Sequence, residues 1–455
     1  MKKTLSILFA LAAMCFSAEA QWYLFPGSGS SAAKDTSKLV LTPKADTIVV
    51  RDTLAAPDTL AVRDSLASAD TLAAADTLFA DVFVRDIPDT VNITLLLPLK
   101  SITDKPSANF IEYYSGALMA VRDLGRTGLN IRLNTFDTDN TFITVDDAVL
   151  ASSDIIIGPV GCKDIEKMLP RCPEGKYLIS PLEPSAAQFA DSSRVVQVPS
   201  PWTTQIDEML CWLKEDAGPL DEVLLLVEDK NAVPSQQSLY LRSRIIEQDI
   251  PCRVLQPEEF TGPTVSGRTR VIVDFGQDQF LCKTINDLAG MSGRGADIVL
   301  YSTSKVRSLE GISSTSLYQC NTRMAAPYYV DYSDASVKEF ILEYRDLFGA
   351  EPSGFAFQGY DLMHYFTTLC TTWGRHWYAK LPEFSQRGLQ SDFRFSSEGR
   401  TGAVGVAVRR IVYDPDLSTT LQQGFGIGDG GFGDARAAEQ PGYFQSPLGA
   451  FDFVY

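Results

Sequence analysis

The sequence feature that most limits the fold of this chain is a regular alternation of apolar runs and amphipathic stretches that begins at Val91. Residues 92–99 form a short apolar run of the kind that makes a buried parallel strand. Residues 109–124 then place apolar side chains on one face of a helix, and 131–136 form the next apolar run. This order predicts a parallel sheet with crossover helices on both faces.

A second set of alternating strands and helices follows residue 200. Helices are predicted at 203–214, 235–248, 279–291, 333–348 and 355–373, and strands at 222–227, 252–255, 271–274 and 297–300. Alternating valines predict a final strand pair within 401–413. The pattern therefore predicts two doubly wound α/β lobes, whose ligand crevices lie at the carboxyl ends of the strands and between the lobes.

The first twenty residues have the composition of an export signal. Lys2 and Lys3 precede an apolar stretch at 5–16, and Ala18-Glu19-Ala20 is a small-x-small cleavage site. We therefore predict a signal peptide at residues 1–20 and a periplasmic protein. A membrane anchor or buried helix is the alternative, but the run is shorter than the ~20 residues that span a bilayer. A lipoprotein anchored through Cys15 is less favoured, because the residue before it fits a lipidation box poorly.

Residues 46–78 carry the triplet Asp-Thr/Ser-Leu/Ile six times with a period of six residues. A hexapeptide β-helix is one interpretation, but it needs many more stacked coils than six hexapeptides supply. One apolar residue of moderate size in six cannot offset the conformational entropy lost on ordering the rest. We therefore predict that residues 21–90 form a disordered, flexible tether.

Charge and cysteine content exclude several classes of protein. The net charge of -17 argues against a nucleic-acid partner, which requires clustered Lys and Arg. Two histidines leave little material for a histidine-ligated metal site, and we expect neither metal nor cofactor. The seven cysteines after the signal include no CxxC pair, so a disulfide framework is not indicated. A local loop closed by Cys162 and Cys172 remains an alternative.

Catalytic signals are weak throughout. Gly426-x-Gly428-x-x-Gly431 matches a dinucleotide-binding pattern, but no strand precedes it and no clear helix follows it. No pair of acidic residues stands out for acid–base chemistry, and His364 and His376 lie in one helical segment, where we expect structural or surface roles. We therefore predict a non-enzyme with no catalytic residue.

Four short segments resemble type 1 periplasmic binding proteins, the group that includes the branched-chain amino-acid receptors. They are Leu97-Pro98-Leu99, Ile156-Ile157-Gly158-Pro159, Ile179-Ser180-Pro181 and Phe357-Gln358-Gly359-Tyr360-Asp361. The resemblance covers roughly residues 90–415. It implies two lobes joined by a three-segment hinge and closing on a small ligand, with crossings near 199–201, 326–332 and 373–389.

The resemblance also divides the chain. The bilobal domain spans 91–415, with lobe 1 at 91–200 and 331–373 and lobe 2 at 201–330 and 385–415; a Gly-rich tail occupies 416–455. The same fold, with an exported low-complexity stem, is similar to envelope proteins that partner the peptidoglycan-building machinery.

Candidate ligand-binding residues follow from this resemblance. Such receptors hold a ligand carboxylate with hydroxyls and backbone N–H groups after the third and fourth strands. The corresponding positions here are Lys163, Ser180, Glu183 and Ser185, and aromatic residues at the implied crossings add Trp202, Tyr328 and Tyr329. The structural alternatives are a surface lysine for Lys163, a turn or capping role for Ser180, and hinge packing for the three aromatic residues. Lys163 and Glu183 replace expected hydroxyl residues, which weakens the case for an amino-acid ligand.

Two functions remain open. The first is a periplasmic binding protein that holds a small polar ligand, amino-acid-like or cell-wall-derived, between its lobes. The second is an envelope scaffold that binds a protein partner, such as a peptidoglycan synthase, without a small ligand. The acidic chain disfavours a strongly anionic ligand unless Lys163 or an arginine supplies local positive charge.

Overall fold

The computed structural model describes the backbone of residues 47–49 and all atoms of 86–103, 105–139, 145–217, 223–228, 233–260 and 268–422. The predicted signal peptide, most of the predicted tether, the Gly426–Gly431 pattern and the tail beyond residue 422 lie outside the described residues.

Strands β1–β17 have these bounds: Thr47–Val49, Val91–Leu97, Ile131–Asp137, Ile155–Ile157, Leu178–Ser180, Val195–Gln197, Val223–Leu226, Cys252–Leu255, Thr269–Val273, Ile298–Thr303, Arg323–Ala326, Gln386–Arg387, Asp392–Phe393, Phe395–Ser396, Ala403–Gly405, Arg409–Tyr413 and Thr419–Gln422. Helices α1–α10 have these bounds: Ala108–Arg126, Asp147–Ser152, Cys162–Met168, Ala187–Ala190, Trp202–Asp216, Gln236–Glu247, Asp278–Ser292, Ser314–Gln319, Ala335–Phe348 and Gly354–Trp373.

The described chain divides into two compact units. The first unit holds residues 42–179 and 355–385, and the second holds 180–354 and the residues from 386 onward. In the first unit the strands lie in the order β1-β3-β2-β4-β5, and the last residue of β5, Ser180, begins the second unit. Strand β2 is parallel to both β3 and β4, and β4 is parallel to β5. Six of the seven residues of β2 are buried, which explains why its sequence is a nearly continuous apolar run.

Helices α1 and α10 of the first unit pack against each other at two glycines. A Cβ atom on Gly359 would lie 1.9 Å from the carbonyl oxygen of Tyr113, and one on Gly116 would lie 1.9 Å from that of Ala356. Only glycine lets the two backbones approach this closely. The pair of glycines therefore fixes where α10 rests on α1.

The second unit contains a seven-stranded sheet in the order β17-β16-β11-β10-β9-β7-β8. Its two faces carry separate apolar clusters. Val271 and Val273 of β9 pack with Ile285 of α7 on one face, whereas Ile272 packs with Met209 of α5 on the other. Successive residues of a strand point to opposite faces, so helices cover both sides of this sheet. The predicted doubly wound α/β architecture is confirmed.

The end of the chain differs in detail from the sequence-based expectation. We expected a strand pair within 401–413, but β15 and β16 do not pair with each other. Strand β15 pairs with β6 and β14, whereas β16 lies antiparallel between β11 and β17. The valine alternation identifies strands but carries no information about their partners, which are distant in sequence.

One copy of the hexapeptide repeat falls within the described residues. Thr47–Val49 forms β1 and lies antiparallel to β3, with Ile48 opposite Leu133. The predicted tether therefore includes a strand at its first repeat. That copy reads Thr-Ile-Val, three β-branched residues that favour extended structure, whereas later copies mostly have Leu and Ala at the second and third of these positions.

Two of the predicted crossings lie next to strand ends. Strand β6 ends at Gln197, just before the predicted crossing at 199–201, and β11 ends at Ala326, where the second predicted crossing begins. The third, at 373–389, contains the point after residue 385 where the chain passes from the first unit to the second. The exact lobe boundaries stay a prediction.

Candidate functional site

The carboxyl end of β3 is occupied by a structural hydrogen-bond network. Asp137 accepts backbone N–H groups from Leu99 at 3.0 Å and Ser101 at 2.7 Å, and also the Ser101 hydroxyl at 2.6 Å. Burial raises the pKa of this carboxyl group, but its hydrogen bonds with Ser101, Asp139 and Lys100 outweigh burial and lower the pKa overall. Asp137 therefore fixes the loop after β2.

The turn after β4 requires a glycine. Gly158 has a φ of 91°, and a Cβ atom there would lie 2.2 Å from the carbonyl oxygen of Leu96. This turn leads to α3, where Lys163 is exposed and makes no ion pair with any described residue. The exposure of Lys163 agrees with the surface-lysine alternative, and a contact with an anionic ligand stays a prediction.

Ser180 and Gln197 end the neighbouring strands β5 and β6. The N–H of Val198 donates to the carbonyl oxygen of Ser180 at 3.0 Å, so the two strand ends lie side by side. Ser180 is 1% exposed and Gln197 is 0% exposed. Within the described part of the chain, the Ser180 hydroxyl and both amide atoms of Gln197 have no hydrogen-bond partner. A buried, unpaired amide is unfavourable by roughly 1–3 kcal/mol, which indicates that a further polar group belongs here.

Glu183 and Ser185 form a local turn. The Glu183 carboxylate accepts the backbone N–H of Ser185 at 3.0 Å and caps the short 3-10 helix at Pro184–Ala186. Ser185 itself is exposed. Glu183 therefore has a capping role within its own turn, and a ligand contact for Glu183 or Ser185 stays a prediction.

The aromatic candidates take part in packing of the second unit. Trp202 starts α5 and makes an edge-to-face contact with Tyr240, at 5.4 Å between centroids. The guanidinium of Arg307 lies 5.4 Å from the centre of the Tyr329 ring, and burial raises the pKa of Tyr329. Tyr328 is 7% exposed. Packing accounts for Trp202 and Tyr329, while a ligand contact for these residues stays a prediction.

Arg409 organises the segment around Tyr329 and was not identified from the sequence. Its side chain pairs with Asp392 at 2.7 Å and donates to the carbonyl oxygens of Tyr329 at 2.6 Å and Gly388 at 2.7 Å. Arg409 is 4% exposed. Its signal in the sequence was an arginine pair within an otherwise apolar strand, because a buried charge requires partners.

The seven candidate residues are therefore divided between the two units. Lys163 lies in the first unit and the other six in the second. The structure brings Ser180 beside the end of β6, and Gln197 is the residue that sequence reasoning missed there. A glutamine closing an apolar strand, Val195-Val196-Gln197, was the available signal.

Comparisons with known proteins give structural similarities only. No protein-family model and no curated protein matches the sequence. A substrate-binding protein of an ABC transporter from Desulfitobacterium hafniense, in complex with Leu, is 13% identical, with a TM-score of 0.44, over 73% of this chain and 100% of the other. LivJ from Streptococcus pneumoniae, a branched-chain amino acid transporter substrate-binding protein in complex with isoleucine, is 13% identical, with a TM-score of 0.40, over 74% and 99%.

Full-length LpoA from Haemophilus influenzae is 12% identical, with a TM-score of 0.47, over 76% of this chain and 62% of that protein. These values identify neither a ligand nor a partner for this chain. The fold assignment rests on the strand order of this chain and on the helices that cover both faces of its seven-stranded sheet. No helix in the described ranges has the length and apolarity needed to cross a membrane.

Proposed function

We propose that this chain is an exported, non-catalytic binding protein of the periplasm that holds a small polar ligand, amino-acid-like or cell-wall-derived. The ligand site lies at the carboxyl ends of β5 and β6, where ligands bind in open α/β sheets. The observation that carries the proposal is Gln197, a fully buried amide whose nitrogen and oxygen are both unpaired within the described residues. A ligand with a donor and an acceptor would satisfy both atoms, and Ser180 is placed to add a hydroxyl.

The states of the buried reactive groups support a non-catalytic role. Burial raises the pKa of the Cys320 and Cys370 thiols to about 12, so both stay protonated and poorly nucleophilic at neutral pH. Burial also lowers the pKa of His364 to about 4, whereas a general base works best with a pKa near the operating pH.

Replacing Gln197 with leucine tests the proposal through two effects of opposite sign. Gln197→Leu removes the unpaired amide, so the unliganded protein should gain about 1–3 kcal/mol in unfolding free energy. The same change should abolish the stabilisation by ligand, which is about 2.7 kcal/mol at a ligand concentration 100 times Kd. A thermal-shift screen of residues 21–455 against amino acids, peptides and muropeptides supplies the measurement.

Gln205→Leu is the matched control. Gln205 is also buried, but its amide accepts from Ser304 at 2.8 Å and donates to the Ser200 carbonyl oxygen at 3.5 Å. This variant should lose stability and keep the ligand-induced shift. The proposal is wrong if no ligand of the panel shifts the wild type, or if the shift persists in Gln197→Leu.

The second candidate is an envelope scaffold that binds a protein partner such as a peptidoglycan synthase. Its supporting observation is the exposed apolar surface of α6, where Leu239 is 55% exposed and Ile246, two turns later, is 78% exposed. Leu239→Lys with Ile246→Lys should weaken binding of a purified synthase, measured by surface plasmon resonance, at unchanged thermal stability. Unaltered affinity would count against this surface.

A further inference from the structure

A concavity lies in the first unit, at the amino ends of β4 and β5. Its volume is about 230 Å³. Asp154 immediately precedes β4, and Lys176 and Tyr177 immediately precede β5. The segment after α10 completes the wall. Its lining includes Asp154, Lys176, Tyr177, Arg375, His376 and Tyr378.

One wall of the concavity is held rigidly by Asp154. This carboxylate, whose side chain is 2% exposed, accepts from Arg375 Nε at 3.0 Å and from the backbone N–H of Asn92 at 2.9 Å. Its carbonyl oxygen accepts the indole N–H of Trp377 at 3.1 Å. Arg375 also pairs with Asp86 at 2.8 Å. The segment after α10 is thus fixed to the sheet by charged and neutral hydrogen bonds.

The second wall is aromatic. The rings of Tyr177 and Tyr378 stack with their centroids 3.6 Å apart and an angle of 12° between their planes. Trp377 lies beside them, with its centroid 6.1 Å from that of Tyr177. Both tyrosines keep part of their surface in solvent. Aromatic surface of this kind binds flat apolar faces of ring-shaped ligands.

The lining of the concavity includes a lysine, Lys176, that is not engaged in an ion pair within the described residues. Lys176 is half-buried and His376 exposed, and neither forms an ion pair with a described residue. The carboxylates of Asp154 and Asp86 are both engaged with Arg375. Lys176 therefore supplies the local positive charge that an anionic ligand needs on a chain whose net charge is -17.

The volume limits the ligand to a small molecule. Sites for drug-sized ligands occupy roughly 300–1,000 Å³, so this concavity has room for about one ring and its substituent. We propose that it binds a small carboxylate carried on a ring, with the carboxylate at Lys176 and the ring against Tyr177 and Tyr378. The ring could belong to an aromatic acid or to a sugar acid, which share this chemistry.

Calorimetric titration with benzoate and with glucuronate tests the site and distinguishes these two sources. Benzamide and methyl glucoside, which carry no carboxylate, are the neutral probes. We expect one acid to bind at least tenfold more tightly than its neutral counterpart. Lys176→Gln should weaken that acid at least tenfold, and Tyr378→Ser should weaken it while also weakening the neutral probe.

Lys105→Gln, an exposed lysine of the same unit, is the control for a general loss of positive charge and should keep the wild-type affinity. Circular dichroism would confirm that each variant is folded. The proposal is overturned if neither acid binds, if acid and neutral probes bind equally, or if Lys105→Gln weakens binding as much as Lys176→Gln.

Discussion

Single residues in the second unit show how a charge is kept inside an apolar fold. Arg410 of β16 pairs with Glu208 at 2.6 Å, and the two side chains are 3% and 2% exposed. It also contacts Glu215, and its guanidinium lies 5.4 Å from the ring centre of Trp212. Burial raises the pKa of Glu208, although the charge and hydrogen bond of Arg410 oppose this. The arginine therefore opposes the effect of burial and favours the ionised form of Glu208.

Replacing this arginine should strongly destabilise the fold. Arg410→Met leaves Glu208 as an uncompensated buried charge, and such changes reduce the unfolding free energy by about 3–5 kcal/mol. The loss should be smaller near pH 4 than at pH 7, because protonated Glu208 needs no cation. Urea unfolding at both pH values measures it. Arg400→Met, which removes an exposed ion pair with Asp191, should reduce stability by less than about 1 kcal/mol.

The buried His364 predicts a pH dependence of stability. Its pKa is lowered from 6.5 to about 4 by burial. Between these values the unfolded chain binds a proton that the folded protein does not, so the unfolding free energy decreases as the pH falls. The decrease is at most about 3 kcal/mol. Chemical unfolding between pH 7 and 4 should show that the unfolding free energy of His364→Gln changes less with pH than that of the wild type. The same pH dependence in both proteins would refute this assignment.

Among the helices and strands, close backbone contacts determine how the elements pack. Helices α1 and α10 were both predicted from apolar periodicity, and their observed bounds agree closely. Their contact at Gly116 and Gly359 was not predicted. Periodicity indicates which face of a helix is buried, but not which partner it meets.

Gly359→Ala should destabilise the first unit. The added methyl group would overlap the Tyr113 carbonyl oxygen, and overpacking of this kind reduces stability by about 1–3 kcal/mol. Gly290→Ala in α7 is the control, because only the Arg294 side chain lies near its Cβ position, at 3.6 Å. That variant should gain up to about 1 kcal/mol through helix propensity. Equal midpoints of thermal unfolding for Gly359→Ala and wild type would contradict the contact.

For the whole molecule, two α/β units are stabilised by apolar cores rather than by covalent links. In the described residues, none of the seven cysteines forms a disulfide, including Cys162 and Cys172. Each face of the seven-stranded sheet has its own cluster of buried side chains. Chains of this length bury enough apolar surface to fold without disulfides.

Reductant should therefore leave the stability of the protein unchanged. We expect equal Tm values with and without a phosphine reductant, and seven titratable thiols in denaturant after removal of the signal peptide. A bridge between Cys162 and Cys172 would show instead as five thiols and a lower Tm under reducing conditions.

The order of most strands and helices could be predicted from the sequence, because periodicity and turn residues are local properties. It also identified the α/β class, since parallel strands need crossover helices. Short strands such as β6, β12 and β13 escaped prediction, because two or three residues carry no measurable period. Lys163 and Ser180 were found through a resemblance that places them after strand ends.

Which buried side chains lack a partner could be seen only in the folded protein. Gln197 became a candidate because both its amide atoms are buried without a partner among the described residues. Tyr177 became one because Tyr378, 201 residues later in the sequence, stacks on it. Trp202 and Tyr329 were likewise seen to pack within their own unit. Burial and hydrogen-bond satisfaction depend on contacts between distant residues, and no local pattern specifies them.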